Sequence, residues 1–382
     1  MNAYNPTVLP EILKARNLSF ASVSRSLGLE PESLTAALVA SGEPDYAVLK
    51  RLASELRVPA FTFFMDAPPP LPDLPKDWRS ESPQNLPKSS DTIRAIDIAS
   101  SIQGAMRSIR PNRSEFVRAT VERIKSADFA QQVRQLIGLT VGDQIQMDDG
   151  KSFFYLLRSK IENRGILVLQ YSFDADDGSG FCLHDAEYPV IVINTKNQNH
   201  ARRSFTLAHE LAHVILGESG FSDPFVARNS LERACNRFAI NFLAPVEIVN
   251  FALAKIQRAA SASIEYIAKI ANMLKISQEA TVIRLQELNY IAPDSYAAWK
   301  AQVARIGNPD WKSPQGGGNG ARVPPEKVKT AIFGTRFAVV FSRAIREGII
   351  DEIDLFRISG LKPAYQSAYF SYATSADPTD VE

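Results

Sequence analysis

Phe205-Thr206-Leu207-Ala208-His209-Glu210-Leu211-Ala212-His213 holds the pattern H-E-x-x-H on a stretch that reads as helix. Histidines at i and i+4 lie one above the other on the same helical face. Two imidazole nitrogens can then reach one Zn²⁺ at about 2.0–2.1 Å each. Glu210 sits between them in sequence, where a carboxylate can take a proton from water activated by the metal. The chain has only four histidines, and two of them are here.

A catalytic zinc site needs three protein ligands and an open position. In the common arrangement of two histidines and a glutamate, the third ligand comes from a second helix downstream. Leu231 to Leu243 reads as that helix. Leu231, Ala234, Cys235, Phe238, Ala239 and Phe242 recur at spacings of three and four, and Pro245 stops the run. Glu232 and Asn236 share one face beside the apolar stripe. Glu232 is the expected third ligand. Asn236, one turn on, can accept from the outer N–H of a ligating histidine and fix its tautomer. Glu218, Asp223 and Glu247 are the rival carboxylates.

These stretches resemble the ImmA/IrrE family of metallopeptidases. The pattern there is a Gly-containing strand, a second strand, F-T-x-x-H-E-x-x-H, and then E-x-x-A-N-x-F-A-x-x-L-x-x-P. The counterparts are Gly165 to Leu169, Pro189 to Asn194, Phe205 to His213, and Glu232 through Asn236, Phe238 and Ala239 to Pro245. Cys235 stands where that pattern has Ala. Ile267-Ala268 and Leu274 to Ser277 extend the likeness, which is specific over residues 150–292.

Leu9 to Phe64 reads as four or five short helices and resembles the Xre-type helix-turn-helix modules often fused to such peptidases. Ser19 to Leu29 gives a helix and a turn at Gly28, and Pro31 suits the first turn of the next helix. Asp77-Trp78-Arg79 resembles the D-F-R that follows such modules. DNA binding is weakly supported by the residues themselves. The presumed reading helix, Pro31 to Ala40, offers only Glu32, Ser33 and Thr35 as polar groups, whereas bases are read mostly by Arg, Lys, Asn or Gln. Residues 1–66 carry Lys14, Arg16, Arg25, Lys50, Arg51 and Arg57 against Glu11, Glu30, Glu32, Glu43, Asp45, Glu55 and Asp66, a net −1.

Length and composition set the remaining bounds. A chain of 382 residues has room for two or three domains at about 100–200 residues each. Apolar content of 45% and charged content of 22% are ordinary for a globular protein, and a net charge of +1 gives no overall pull toward nucleic acid or anionic membrane. The seven cations between Arg94 and Lys125 read as the solvated face of a helical connector. Two cysteines, Cys182 and Cys235, imply no disulfide framework. Neither a signal peptide nor a membrane-spanning apolar run is evident, so a cytoplasmic location without a membrane partner is expected.

The expected fold class is α+β and mostly helical, in six segments. Residues 1–66 form the helix-turn-helix bundle, 67–88 a Pro-rich linker and 89–145 a helical connector. Residues 146–292 form a zincin-like metallopeptidase with a small sheet. Residues 293–325, with Gly316 to Gly320, are a flexible linker, and 326–382 a small helical module that either binds a partner or packs back on the core. Phe153 to Ile161 reads as a helix, and Ile166 to Tyr171 and Val190 to Ile193 as strands. Asp174 to Gly180 reads as a solvated turn between them, without the downstream Glu that a calcium loop requires.

The expected chemistry is peptide-bond hydrolysis with Zn²⁺ as cofactor. Zinc on His209, His213 and Glu232 brings the pKa of its water from about 15.7 toward 7, and Glu210 relays the proton to the leaving amine. An oxyanion donor is expected as well; His184 and His200 are candidates that nothing in the sequence selects. The resemblance implies a protein substrate, a small helix-turn-helix repressor or similar regulator cleaved in a stress or mobile-element response. The competing reading is a DNA-binding or partner-binding transcriptional regulator that keeps a peptidase scaffold as a sensor.

Overall fold

The computed structural model describes residues 4–39, 44–56, 58–69, 71, 76–77, 89–222, 229–256, 263–306 and 323–375. Most of the Pro-rich linker, Trp78 and Arg79 of the D-W-R run, Asp223, Gly316 to Gly320 and the tail beyond 375 lie outside the described residues.

Four helices come first: α1 (Val8–Ala15), α2 (Phe20–Ser26), α3 (Pro31–Val39) and α4 (Tyr46–Glu55). Ser19 and Asp45 cap α2 and α4 by accepting backbone N–H groups, as side chains at that position do in helix starts. Gly28, at φ 68°, makes the turn between α2 and α3. Val8, Ile12, Leu34, Leu49, Leu52 and Phe63 fill a core of their own. On α3 the exposed residues are Glu32, Ser33, Thr35 and Ala36, and the Thr35 hydroxyl is spent on the Pro31 carbonyl.

Next come β1 (Lys76–Asp77), α5 (Ser90–Ile109), α6 (Val121–Ile124), α7 (Ala127–Ile137), α8 (Val141–Gln146) and α9 (Gly150–Glu162). Arg16, at the end of α1, is buried and reaches Asp97 on α5 with both terminal nitrogens, at 2.6 and 2.8 Å. This paired fork ties the first four helices to the rest of the molecule.

The central part holds β2 (Leu167–Tyr171), β3 (Gly180–Leu183), β4 (Val190–Asn194), α10 (His200–Leu216), β5 (Gly220–Ser222), α11 (Ser230–Leu243), α12 (Val246–Lys255), α13 (Ile264–Leu274), α14 (Gln278–Glu287) and α15 (Ser295–Ile306). The five strands form one mixed sheet in the order β1-β5-β3-β4-β2. β2 runs parallel to β4 and β1 parallel to β5, while β3 is antiparallel to both its neighbours.

Side chains alternate across this sheet with period two. Val168, Cys182, Ile191 and Ile193 face α9, α10 and α11. Leu167, Leu169, Phe181, Val190, Val192 and Phe221 face the other way. That second face is covered by α5 and by three C-terminal helices, α16 (Pro325–Arg346), α17 (Glu352–Ser359) and α18 (Pro363–Ser375). Phe333, Phe337 and Phe341 of α16 and Tyr369 of α18 form a run of ring contacts over it. The C-terminal helices pack back on the core. With both faces buried, the strands read as continuous apolar runs.

Two expectations need correction. Asp174 to Gly180 is not simply a solvated turn. Asp177 is buried and accepts from Ser89 N at 2.8 Å and Thr92 Oγ1 at 2.6 Å, so it closes the N-terminus of α5. The cations between Arg94 and Lys125 are not only a solvated face either. Arg107 pairs with Asp185 and Arg113 with Glu187, and Arg118 donates to the Leu216 carbonyl at the end of α10.

Candidate metal centre

α10 starts at Asn199, whose side chain accepts from Arg202 N, and ends at Gly217 in the left-handed region. Every residue from Thr206 to Leu216 is buried, because the helix is clasped between the sheet and α11. His209 and His213 therefore project from one stripe into the interior, both at most 1% exposed. α11 is capped by Asn229, which accepts from Glu232 N at 2.8 Å, and Pro245 ends it as the first-turn boundary of α12. That register turns Glu232 inward toward α10.

Three donor groups converge there. His209 Nε2 and His213 Nε2 are 3.1 Å apart. Glu232 Oε2 is 3.2 Å from the first, and Oε1 is 3.0 Å from the second. Ligands bound at about 2.0–2.2 Å in a tetrahedral shell sit about 3.3–3.6 Å apart, so the cluster needs little adjustment to hold a zinc-sized ion. The chemistry of the donors agrees. Both Glu232 oxygens are buried without a hydrogen-bond partner among the described residues, and Glu210 Oε2 is in the same condition. Bare carboxylate oxygens in a closed interior are costly unless a cation meets them. The Cys235 thiol also comes near, its sulfur and the ligand nitrogens of His209 and His213 all lying within 4.8 Å of one another. The carboxylate stands 3.0–3.2 Å from the two nitrogens and carries a charge, which gives it the claim to the third position.

Asn236 lies one turn beyond Glu232, with Oδ1 2.7 Å from His209 Nδ1. A carbonyl oxygen only accepts, so Nδ1 carries the proton and Nε2 turns its lone pair to the cluster. His213 Nδ1 has no such partner among the described residues.

Glu210 is fully buried and is held from the sheet side. The Ser222 hydroxyl of β5 donates to Glu210 Oε1. Gly180 of β3 makes the approach feasible: a Cβ there would stand 2.9 Å from Thr206 Cγ2 and 3.3 Å from Glu210 Oε1. Burial pushes the Glu210 carboxyl above its ordinary range, against the pull of His213 and His209. For Glu232 burial acts in the same direction, but the two adjacent imidazoles in their charged form outweigh it and hold this carboxyl well below the usual range.

The two described rival carboxylates do not compete. Glu247 is exposed in the first turn of α12, Glu218 is half-buried past the end of α10, and Asp223 lies outside the described residues. Neither of the two other histidines is among the converging groups. His200 begins α10, about 13 Å along the axis from His209. Its ring packs beside Phe154 and Tyr155, and burial lowers its pKa to about 4. His184 follows β3, and its backbone N–H is held by Ser219 Oγ. No oxyanion donor is assigned to either. Ser222 and Gly180 escaped sequence reading, because a serine and a glycine outside any periodic run carry no signal of their own.

A groove of about 490 Å³ opens beside Asn236, between α10, α11 and α14, with Arg202, Phe205, Arg233, Arg237 and Ile240 in its walls.

Residues 161–286 match the family model described as the IrrE N-terminal-like domain, Peptidase_M78. The matched span runs from the end of α9 through α14 and holds the whole cluster. It supports an ImmA/IrrE-type metallopeptidase domain; the four N-terminal helices and the three C-terminal ones fall outside it. No curated protein matches the chain. Among the described residues no single helix is long and apolar enough to cross a membrane.

Proposed function

We propose that the protein is a zinc-dependent endopeptidase acting in the cytoplasm on a protein regulator. The observation that carries this reading is the convergence of two imidazole nitrogens and a carboxylate to mutual distances of 3.0–3.2 Å, with a second buried carboxylate alongside. Zinc bound there would supply Lewis acidity, lowering the pKa of water and polarising a peptide carbonyl. His209, His213 and Glu232 would hold it. Asn236 would keep His209 in the tautomer that offers Nε2. Glu210 would be the proton carrier. Its Oε1 is occupied by the Ser222 hydroxyl, which leaves Oε2 to take the proton of the attacking water and return it to the departing amine.

One zinc per chain is expected by elemental analysis of the purified protein, and none after His209→Ala or His213→Ala. Glu232→Ala should retain the fold and bind zinc at least about 10–100-fold more weakly, the loss that even outer-sphere partners cause. If Glu232→Ala holds zinc as tightly as the parent, the carboxylate is not a ligand. A parent protein that stays metal-free after zinc is added back would end the reading.

The substrate is proposed to be a small helix-turn-helix repressor, because the resemblance points there and because the N-terminal helices suit holding a partner better than reading DNA. Their net charge is −1 and the exposed side of α3 is acidic and short of donors. The full-length protein is expected to bind DNA only weakly and with steep salt sensitivity in a mobility-shift assay. Tight binding to one operator at physiological salt would restore the direct-regulator reading. Cleavage of a helix-turn-helix protein encoded beside this chain, tested with and without chelator, is the decisive assay for the peptidase.

A further inference from the structure

We propose that Cys235 is a fourth, sulfur ligand at this centre, closing the coordination shell in the resting protein. The proposal rests on the metal-site reading above and goes beyond it, since a catalytic zinc otherwise keeps its fourth position open.

The placement comes from the helix. Cys235 is three residues after Glu232 on α11, and residues at i and i+3 share a face. The register that turns the Glu232 carboxylate toward His209 and His213 therefore brings the Cys235 sulfur along. Its Sγ and the ligand nitrogens of the two histidines lie within 4.8 Å of one another, and the side chain is fully buried. With a zinc–sulfur bond of about 2.3 Å and zinc–nitrogen bonds of about 2.0–2.1 Å, a tetrahedral shell has sulfur about 3.6 Å from each nitrogen. The 4.8 Å bound exceeds that separation by no more than about 1.2 Å, the most that the side chain would have to move to join the shell. Cys182 is differently employed: its thiol donates to the Glu218 carbonyl at 3.2 Å, and it is not part of the group.

The exchange balances simply. On ligation the thiol gives its proton to solvent and sulfur bonds the metal. When water or a substrate carbonyl takes the position, the sulfur leaves and recovers a proton. Such a centre is latent until something displaces the sulfur. A thiolate also biases the site toward zinc and cobalt over manganese or magnesium.

The test uses the full-length protein, freed of metal by a chelator and titrated with cobalt(II). One cobalt per chain is expected, with the visible bands of tetrahedral cobalt and a near-ultraviolet sulfur-to-cobalt charge-transfer band. Cys235→Ala should keep the cobalt and the visible bands and lose the near-ultraviolet band; Cys182→Ala should keep all three. Zinc affinity by chelator competition should fall about tenfold or more in Cys235→Ala. Cobalt bound at one per chain without the near-ultraviolet band, or a band that survives Cys235→Ala, overturns the proposal and leaves the metal site standing. A parent protein that takes up no cobalt overturns both.

Discussion

Glu210→Gln is expected to leave metal content and melting temperature near those of the parent while cutting hydrolysis by about 10²–10⁴-fold or more. Glutamine has the shape of glutamate and keeps a carbonyl oxygen, so it can still accept from the Ser222 hydroxyl at the place where Oε1 stands. It adds no volume to the tight contact with Gly180 and Thr206. What it removes is basicity. The other carboxylate oxygen is buried and has no hydrogen-bond partner among the described residues, so it is free to accept a proton from water. An amide nitrogen in its place donates instead, and no other described carboxylate occupies that side of the cluster except Glu232, whose oxygens face the histidines. Metal analysis and single-turnover cleavage on the same preparation decide the matter. A variant that retains more than about a tenth of the parent rate would show that the proton moves by another route. A variant that loses its metal would make Glu210 a ligand instead.

The second large effect concerns stability. α16 is broken at Gly334, at φ 79° and ψ 179°. The break is plugged by the buried pair Arg158 and Glu162 of α9, 3.1 Å apart. Arg158 donates to the carbonyls of Ala331 (2.6 Å) and Ile332 (3.2 Å), which end the first half of the helix. It also donates to the Val168 carbonyl in β2. Glu162 accepts from Thr335 N (3.1 Å) and Arg336 N (3.2 Å), which begin the second half. A cation thus sits at a helix C-terminus and an anion at a helix N-terminus, each with the favourable sign.

Glu162→Ala strands Arg158 in the interior and should cost about 3–5 kcal/mol. Gly334→Ala should be at least as harmful. Its Cβ would fall 2.1 Å from Glu162 Oε1 and 2.6 Å from Arg158 Nη2, in a backbone conformation that L-residues resist. Both variants should melt several degrees lower and loosen α16–α18 from the sheet, visible as faster amide exchange in β2 and α16. A melting temperature within about 1 °C of the parent for Gly334→Ala would mean the break can re-form without the plug. These helices were legible from sequence as a small helical module over residues 326–382. Their attachment through a charged pair 170 residues earlier in the chain was not.

The residues by themselves determined whatever depends on neighbours three or four positions away. His209 and His213 share a face, Glu232 and Asn236 share another, α11 ends at Pro245, and Leu167 to Tyr171 and Val190 to Asn194 are apolar enough to be buried strands. All of these follow from periodicity and from stop signals, which are local. Tertiary structure alone decided the features made by residues far apart in sequence. β3 and β5 are short, glycine-containing segments that become strands by pairing, with each other across some forty residues and with β4 and β1 on their outer sides. Their pairing puts the Ser222 hydroxyl on Glu210 and leaves the space at Gly180 that Glu210 uses. The packing of α10 against α11 set the Glu232 carboxylate beside His209 and His213, where Glu218 and Glu247 are not, and brought Cys235 near the same point. A carboxylate or thiol on a helix has no preferred partner until a second helix arrives, and burial then makes that partner obligatory, because the lone pairs left facing inward have no water to turn to.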